Sequence, residues 1–354
     1  MRILHVSHQH LKYLGARNYL IPVRINNGFI RNNHEVFWFS DRDVARCSNI
    51  FGTRKMGVGA SNRKLLEVCR NFQPDVIALS SADVIQPETL AEARKLLPNV
   101  AIFQYYIDPL FDASNFRNVR SKAEVVDWTF VTTAGPVLSR IAGVHSKVAF
   151  IPNPVDPSID VHRCHEHSDL SYDVFFAGHM SKWQDPDDLR GRAHELIRDR
   201  LPQARSAIYG HGPGKSLFGA AFMQALGQAK IGLNFSQRIA EAKPGPGGEL
   251  YLYSSDRIGL YLGNGLLVFS TRAFSLSELY GSDAIVEVEG ADEFIDKLRF
   301  YLEHDTERQK VARAGYELGH REFSERLVSQ YMIEATLGLP FSHPYRWPTD
   351  SYSK

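Results

Sequence analysis

Three groups of residues in this 354-residue chain have the types and spacing to do chemistry. The first is Ser254-Ser255-Asp256-Arg257, within the stretch YLYSSDRIGLYLGNGLLVFS at 251–270. The second is Asp108 of YYIDP, set among aromatic residues and followed by a proline that blocks helix continuation. The third is His8 and His10, two positions apart. A serine oxygen accepts a free N–H of a helix's first turn, so Ser254 or Ser255 is expected to cap a helix beginning near Asp256. The free amides of that turn, the two hydroxyls and the forked guanidinium of Arg257 would form an anion site. The plainer alternative is an ordinary capped helix with a surface arginine. Asp108 is a candidate general base if partial burial raises its pKa; otherwise it is a turn aspartate holding a local backbone N–H. His8 and His10 lack a third metal ligand and read better as substrate hydrogen-bonding groups or plain loop.

The elements around these residues place them at strand ends. The residue pattern predicts a strand at 2–7, a loop at 8–18 containing Gly15, a helix over about 19–32 and a strand at 35–40. Helices at 63–72, 87–96 and 136–141 then alternate with strands at 75–79, 100–106, 128–132 and 147–151. Alternation of this kind means a doubly wound parallel sheet, whose ligands bind outside the carboxyl ends of the strands. His8, His10, Asp41, Asp43, Ser80, Ser81, Asp83, Asp108, Thr132 and Thr133 fall there. The proline-dense run IPNPVDP at 151–157, with the polar stretch 161–168, reads as a linker. Beyond it the pattern restarts, with strands at 173–177, 204–209, 231–235 and 284–288. Helices are expected at 189–201, 216–227, 292–304, 308–320 and 324–337. Within 251–270, Gly263-Asn264-Gly265 ends a helix and an apolar strand follows. The expected fold is α/β with two Rossmann-like domains, 1–152 and 153–337, and a tail at 338–354 that packs as an irregular strap or frays.

Composition narrows the function classes. Hydrophobic residues are 44% and charged residues 23%, ordinary for a soluble globular protein. A formal net charge of +1 gives no global field for nucleic acid. Cys47, Cys69 and Cys164 are widely spaced, which suits a reducing compartment and offers neither a disulfide framework nor a metal pattern. The chain shows no signal-peptide pattern and no apolar run near the ~20 residues that span a bilayer, so the expected location is the cytoplasm, with contact at the inner face of the membrane left open. His211-Gly-Pro-Gly-Lys215-Ser216 imitates a P-loop, but Tyr209 stands where that motif needs glycine, and Gly210 is off by one. No G-x-G-x-x-G follows the first strand, so NAD is not expected. A glycine turn at Gly210 would still let a backbone approach a nucleotide.

Two Rossmann-like halves, a proline-rich hinge and a helical C-terminal tail together resemble the GT-B glycosyltransferases. IPNPVD at 151–156 is similar to the segment that enters the second domain in group 1 glycosyltransferases. VFFAGHMSKW at 174–183 resembles their glycine loop facing the donor diphosphate, and AIYGHGP at 207–213 their glycine turn near the donor nucleoside. RIGLYLGNGLLVF at 257–269, with Asp108, resembles the CgeB-like branch. The chain departs from the pattern at Leu260, where group 1 enzymes carry the later glutamate of Glu-x7-Glu, and at Gly15, which stands alone in place of a glycine pair. The resemblance implies transfer of a sugar from a nucleotide sugar to a glycan or lipid-linked acceptor, in cell-surface polysaccharide or glycoconjugate synthesis, without a metal or other cofactor and without nucleic acid. It implies sheets facing across a cleft, with the acceptor mainly on the first domain. Asp108, His8 and Asp256 would be catalytic. Gly178, His179, Lys182, Gly210, His211, Ser254, Ser255 and Arg257 would hold the donor. The missing glutamate motivates an alternative, a member that binds sugar or nucleotide without turnover; an epimerase is a third reading.

Overall fold

Short apolar strands, mostly of four to six residues and mostly followed by a helix, build a largely parallel sheet in each half of the chain. The structure is a computed structural model and describes residues 1–178, 188–210, 216–236 and 242–354. It divides into two units, Met1–Pro154 with Glu325–Lys354, and Val155–Ser324.

In the first unit the elements run β1 (Arg2–Val6), α1 (Ile21–Arg31), β2 (Glu35–Phe39), α2 (Asp41–Cys47), α3 (Val58–Phe72), β3 (Val76–Ser80), α4 (Pro87–Leu96), β4 (Ala101–Tyr106), α5 (Ala113–Arg120), β5 (Trp128–Val131) and β6 (Lys147–Phe150). The second unit contributes β7 (Tyr172–Ala177), α6 (Leu189–Arg200), β8 (Ser206–Tyr209), α7 (Gly219–Leu226), β9 (Ala229–Leu233), α8 (Arg257–Gly263), β10 (Leu267–Thr271), α9 (Ser277–Tyr280), β11 (Ile285–Val288), α10 (Gly290–Glu303) and α11 (Asp305–Glu322). The chain then returns to the first unit with α12 (Glu325–Leu337) and β12 (Ser351–Tyr352). The strand orders are β12-β6-β5-β4-β3-β1-β2 and β11-β10-β9-β7-β8, parallel throughout except for β12 against β6. Both are Rossmann-like orders, with a reversal between β1 and β3 and between β7 and β9. Three short helices, α2, α5 and α9, go beyond the elements expected from the sequence. Asp112 caps α5 through the amides of Ser114 and Asn115, at 2.8 and 3.2 Å.

The sequence reading runs the second domain to residue 337 but expects the final helices to pack back toward the first domain, and α12 does belong to the first unit. Its periodicity reveals an apolar face but not which core covers it. The complement lies in α1, where Ile21, Ile25 and Phe29 face inward and Gly28 leaves room for the partner helix. A Cβ at Gly28 would collide with the Ser329 hydroxyl and the Glu325 carbonyl. Arg31 pairs with the buried Glu325 at the start of α12, and the Tyr331 ring meets Phe130 edge-on at 5.8 Å. The tail is an ordered strap: Trp347 is buried, and the Tyr345 hydroxyl donates to Glu334 Oε2 at 2.7 Å.

In the second unit α8 is buried along its whole length. Asn264 secures its end, donating from Nδ2 to Asp160 Oδ1 at 2.9 Å and to the Leu260 carbonyl at 2.8 Å, while its Oδ1 accepts the His162 amide at 3.1 Å. Only Gly265 of the three turn residues takes positive φ, at 73°. Among the described residues no helix is long and apolar enough to cross a membrane. Gly28→Ala forces α1 and α12 apart against backbone as well as side chain, so it is expected to destabilise the first unit by about 2 kcal/mol or more. Chemical denaturation of the variant checks this, and an unchanged midpoint would show that the notch has slack.

Candidate functional site

The reversal of the second sheet brings together the ends of β7 and β9, and the residues just beyond those ends are polar. Gly178 follows β7, while Asn234, Phe235 and Ser236 follow β9. Gly210, at φ 81°, follows β8, and a Cβ there would lie 2.5 Å from the Gly178 carbonyl oxygen. The two glycines therefore let the strand-end turns touch through backbone alone. Gly178 also opens space for two arginines. A Cβ at Gly178 would stand 3.2 Å from Arg257 Nη1 and 3.3 Å from Arg190 Nη2. Both guanidiniums stack on Phe176 of β7, at 5.2 Å for Arg257 and 5.8 Å for Arg190.

Electrostatics disfavours this arrangement when no anion is present. Arg190 lies in the first turn of α6, where the helix dipole repels a cation. Burial, then the neighbouring Arg257 charge, push its pKa down to about 10, so it remains charged near neutrality. Arg257 is nine-tenths buried; Nη2 donates to the Phe235 carbonyl at 3.1 Å, and Nε has no hydrogen-bond partner among the described residues. Asn234 Nδ2 and Ser236 Oγ are likewise buried without described partners. Ser255 donates to Asn234 Oδ1 at 2.9 Å, which commits the oxygen and leaves the amide donors of Asn234 for another group. Two cations and two unfilled donors at a strand-end reversal suit a diphosphate-sized anion.

The expected helix cap differs from the one observed. Asp256, half-buried, occupies the capping position of α8, and its side chain makes no capping bond. Ser254 is buried beside the Tyr280 hydroxyl, and Ser255 turns to Asn234 instead. Neither serine caps the helix, because other partners lie within reach. Gly178, Gly210, Ser255, Asp256 and Arg257 do gather around this end of the sheet, whereas His179, Lys182 and His211 lie outside the described residues. Arg190, Asn234 and Ser236 went unread. A cation in a helix's first turn was the signal for Arg190, and polar residues just after an apolar strand were the signal for the other two.

In the first unit the loops after β1 and β3 are held in uncommon backbone conformations, with positive φ at His10, Leu14, Ser81 and Ala82. His8 is buried, and its Nδ1 lies 3.4 Å from both Asp43 Oδ2 and the His10 amide nitrogen. Asp43 is fixed by the Ser40 hydroxyl at 2.6 Å, the Leu11 amide at 3.1 Å and Arg46 at 3.1 Å. Burial pulls the His8 pKa down to about 4, against the opposing pull of Asp43, so the ring is neutral near pH 7. Asp108 is exposed. Among the described residues no group of three or more His, Cys, Asp or Glu could hold a metal ion.

Residues 190–333 match the family model described as Glycosyl transferase-like, a span of less than half the chain that begins at Arg190. No curated protein matches the sequence. Among solved structures the chain is similar to Anabaena HepE in complex with UDP, with 12% identity, 96% of this chain and 100% of that chain covered, and a TM-score of 0.54. It is similar to sucrose-phosphate synthase from Thermosynechococcus elongatus, at 9% identity, 96% and 98% coverage and a TM-score of 0.58. It is also similar to AviGT4, a glycosyltransferase involved in avilamycin A biosynthesis, at 15%, 95% and 97%, and 0.57. The fold is therefore that of the GT-B glycosyltransferases, and residues 190–333 are similar to the Glycosyl transferase-like family.

The buried histidines of the first unit make its stability depend on pH. Burial lowers His5 and His8 to about 4 and His10 to about 3, all below the ordinary 6.5. As pH falls below 6.5 the unfolded chain takes up protons that the folded chain refuses, so stability is lost down to about pH 4. Asp41, raised to about 6 by burial and then by Asp83, works in the opposite sense below pH 6. Three groups against one should give a net loss on the order of 5 kcal/mol between pH 7 and 4.5. Urea denaturation at the two pH values measures it; greater stability at the lower pH would overturn the assignment.

Proposed function

We propose that the chain is a glycosyltransferase that moves a sugar from a nucleotide diphosphate sugar to a glycan or lipid-linked acceptor, with no cofactor beyond the donor itself. The observation that carries this reading is the convergence of Arg190 and Arg257 at Gly178, beside the unfilled donors of Asn234 and Ser236. In the transfer, the bond from the anomeric carbon to the diphosphate oxygen breaks and its electron pair leaves with the nucleotide. A bond forms from the acceptor oxygen to the same carbon, and the acceptor proton passes to a base. The arginines stabilise the charge that grows on the leaving diphosphate, so their effect reaches rate as well as affinity. His8 suits the base better than Asp108. The ring is already neutral, and the His10 amide donates to its Nδ1 at 3.4 Å; as base, His8 would exchange that bond for a proton on Nδ1 facing Asp43, also 3.4 Å away, which frees Nε2 to accept. The crystallised HepE was solved with UDP and with UDP-glucose, which supports a uridine donor as the first to test. Surface polysaccharide or glycoconjugate synthesis and the CgeB-like branch remain part of this proposal, as does action in the cytoplasm.

Calorimetry with UDP and a panel of UDP-sugars tests the anion site. Arg257→Lys keeps the charge but loses the fork and should weaken binding about tenfold; Arg257→Ala and Arg190→Ala should weaken it about 100-fold. Melting temperatures on the same variants expose the structural alternative: intact affinity with a lowered melting temperature would place the anion site elsewhere. Leu260, buried where group 1 enzymes carry glutamate, favours a second reading in which the chain binds nucleotide without turnover. Binding with no product across donors and acceptors would select it.

Where turnover is found, His8→Ala should lower kcat/KM by ~100-fold or more, and Asp108→Asn should change it less than about threefold. The wild-type profile should lose activity only as pH falls through about 4, the pKa of buried His8. An acid limb near 6.5, or a larger loss at Asp108 than at His8, would reverse the assignment.

A further inference from the structure

Charge is unevenly distributed along the chain. The first 66 residues hold eleven Lys and Arg against three Asp and Glu, although the whole chain has 41 against 40, so the remainder is net negative. Two of those three acids, Asp41 and Asp43, are buried. Within this basic segment two loops of the first unit present large apolar side chains to water. Leu11 and Leu14 lie in one, at 57% and 94% exposure. Ile50, Phe51 and Met56 lie in the other, at 95%, 64% and 60%. Asp43 ties the loops together, accepting the Leu11 amide and pairing with Arg46 in the last turn of α2, three residues before the second loop's Asn49.

These tips are built outward. Leu14 is held at φ 49°, a left-handed conformation that is costly for leucine, yet it buries almost nothing. Lys12 and Arg17 both lie 4.6 Å from the Tyr13 ring, which keeps cations beside the apolar tip. Arg54 and Lys55 precede Met56, and residues 44–66 contain no carboxylate. Asp83, which pairs with Arg42 and Arg54, is the acid that reaches toward this edge.

We propose that this face of the first unit docks on an anionic phospholipid bilayer. Leu11, Leu14, Ile50 and Phe51 enter the headgroup boundary, and Lys12 and Lys55 meet lipid phosphates. Apolar tips ringed by cations match a surface that is apolar beneath and anionic above. A second copy of the chain fits less well, because a twofold contact would bring the same cations together. The inference is independent of the transfer reading, since it uses none of the groups assigned to chemistry.

Co-sedimentation of the full chain with phosphatidylcholine vesicles, with and without phosphatidylglycerol, tests it. Binding is expected to the anionic vesicles, to fall at least about fivefold between 0.1 M and 0.5 M salt. L14E/F51E should weaken it about tenfold or more, and K12E/K55E about 20-fold. Melting temperatures should be unchanged, since these four side chains are exposed; L14S/F51S is the milder variant should the glutamates disturb folding. Equal binding to neutral and anionic vesicles, or full binding by the variants, overturns the proposal. So does absent vesicle binding, including the case where sedimentation equilibrium shows a dimer that L14E/F51E dissolves, which would assign the face to a second copy.

Discussion

Two like charges held side by side at the reversal of a parallel sheet are the constraint on which the second unit turns. Arg190 and Arg257 come from helices far apart in sequence, and both guanidiniums reach the space that Gly178 leaves open. Burial and mutual repulsion oppose that meeting: Arg190 loses water and feels the Arg257 charge, against the smaller pull of Tyr253 and Asp188. The structure meets part of the cost with the face of Phe176 and with one carbonyl, that of Phe235. The rest of the unit holds the pair in place. Gly210 lets the β8 turn press on Gly178, Ser255 orients Asn234, and Asn264 locks the far end of α8 to Asp160. A site whose charges are unfavourable when empty gains most when an anion enters.

The first unit solves the opposite problem, keeping a histidine uncharged beside a carboxylate. Asp43 would ordinarily raise the His8 pKa, but burial outweighs it, and Arg42 and Arg46 add to the downward pull. Asp43 itself stays ionised because Ser40, the Leu11 amide and Arg46 all bind its charged form. The same carboxylate that faces His8 therefore anchors the loop that carries His10, Leu11 and Leu14. The chemistry and the outward tips of that loop share one fixed point.

Much of the fold was legible because its signals are local. Strand runs such as RILHV and VIALS, and the proline-dense passage at 151–157, identify two α/β halves without any long-range information. The return of the final helices toward the first domain was expected, and α12 makes it; its seat was not legible, since the complement is a single glycine on α1 some three hundred residues away in sequence. The site divided the same way. Arg257 and His8 could be read from their position at strand and helix ends. Arg190 could not be linked to Arg257, because nothing in the sequence tells which side chains converge on Gly178. The expected serine cap misled because it was a sensible local role, and for Ser255 a tertiary partner, Asn234, decided otherwise.

The difference at Leu260 follows from the burial of α8. All seven residues of that helix are buried, and its start and end are fixed by Asn234, through Ser255, and by Asp160, through Asn264. A glutamate at 260 would be buried in a helix with no exposed residue, at a cost of several kcal/mol or with loss of its charge. The role that the group 1 pattern gives to that carboxylate cannot then be restored by exchanging one side chain. Of the residues that begin this helix, Ser255 and Asp256 are the ones not fully buried, and Asp256 is the one with a carboxylate. Its charge lies close enough to act on the Tyr261 hydroxyl, as do those of Arg257 and Arg190.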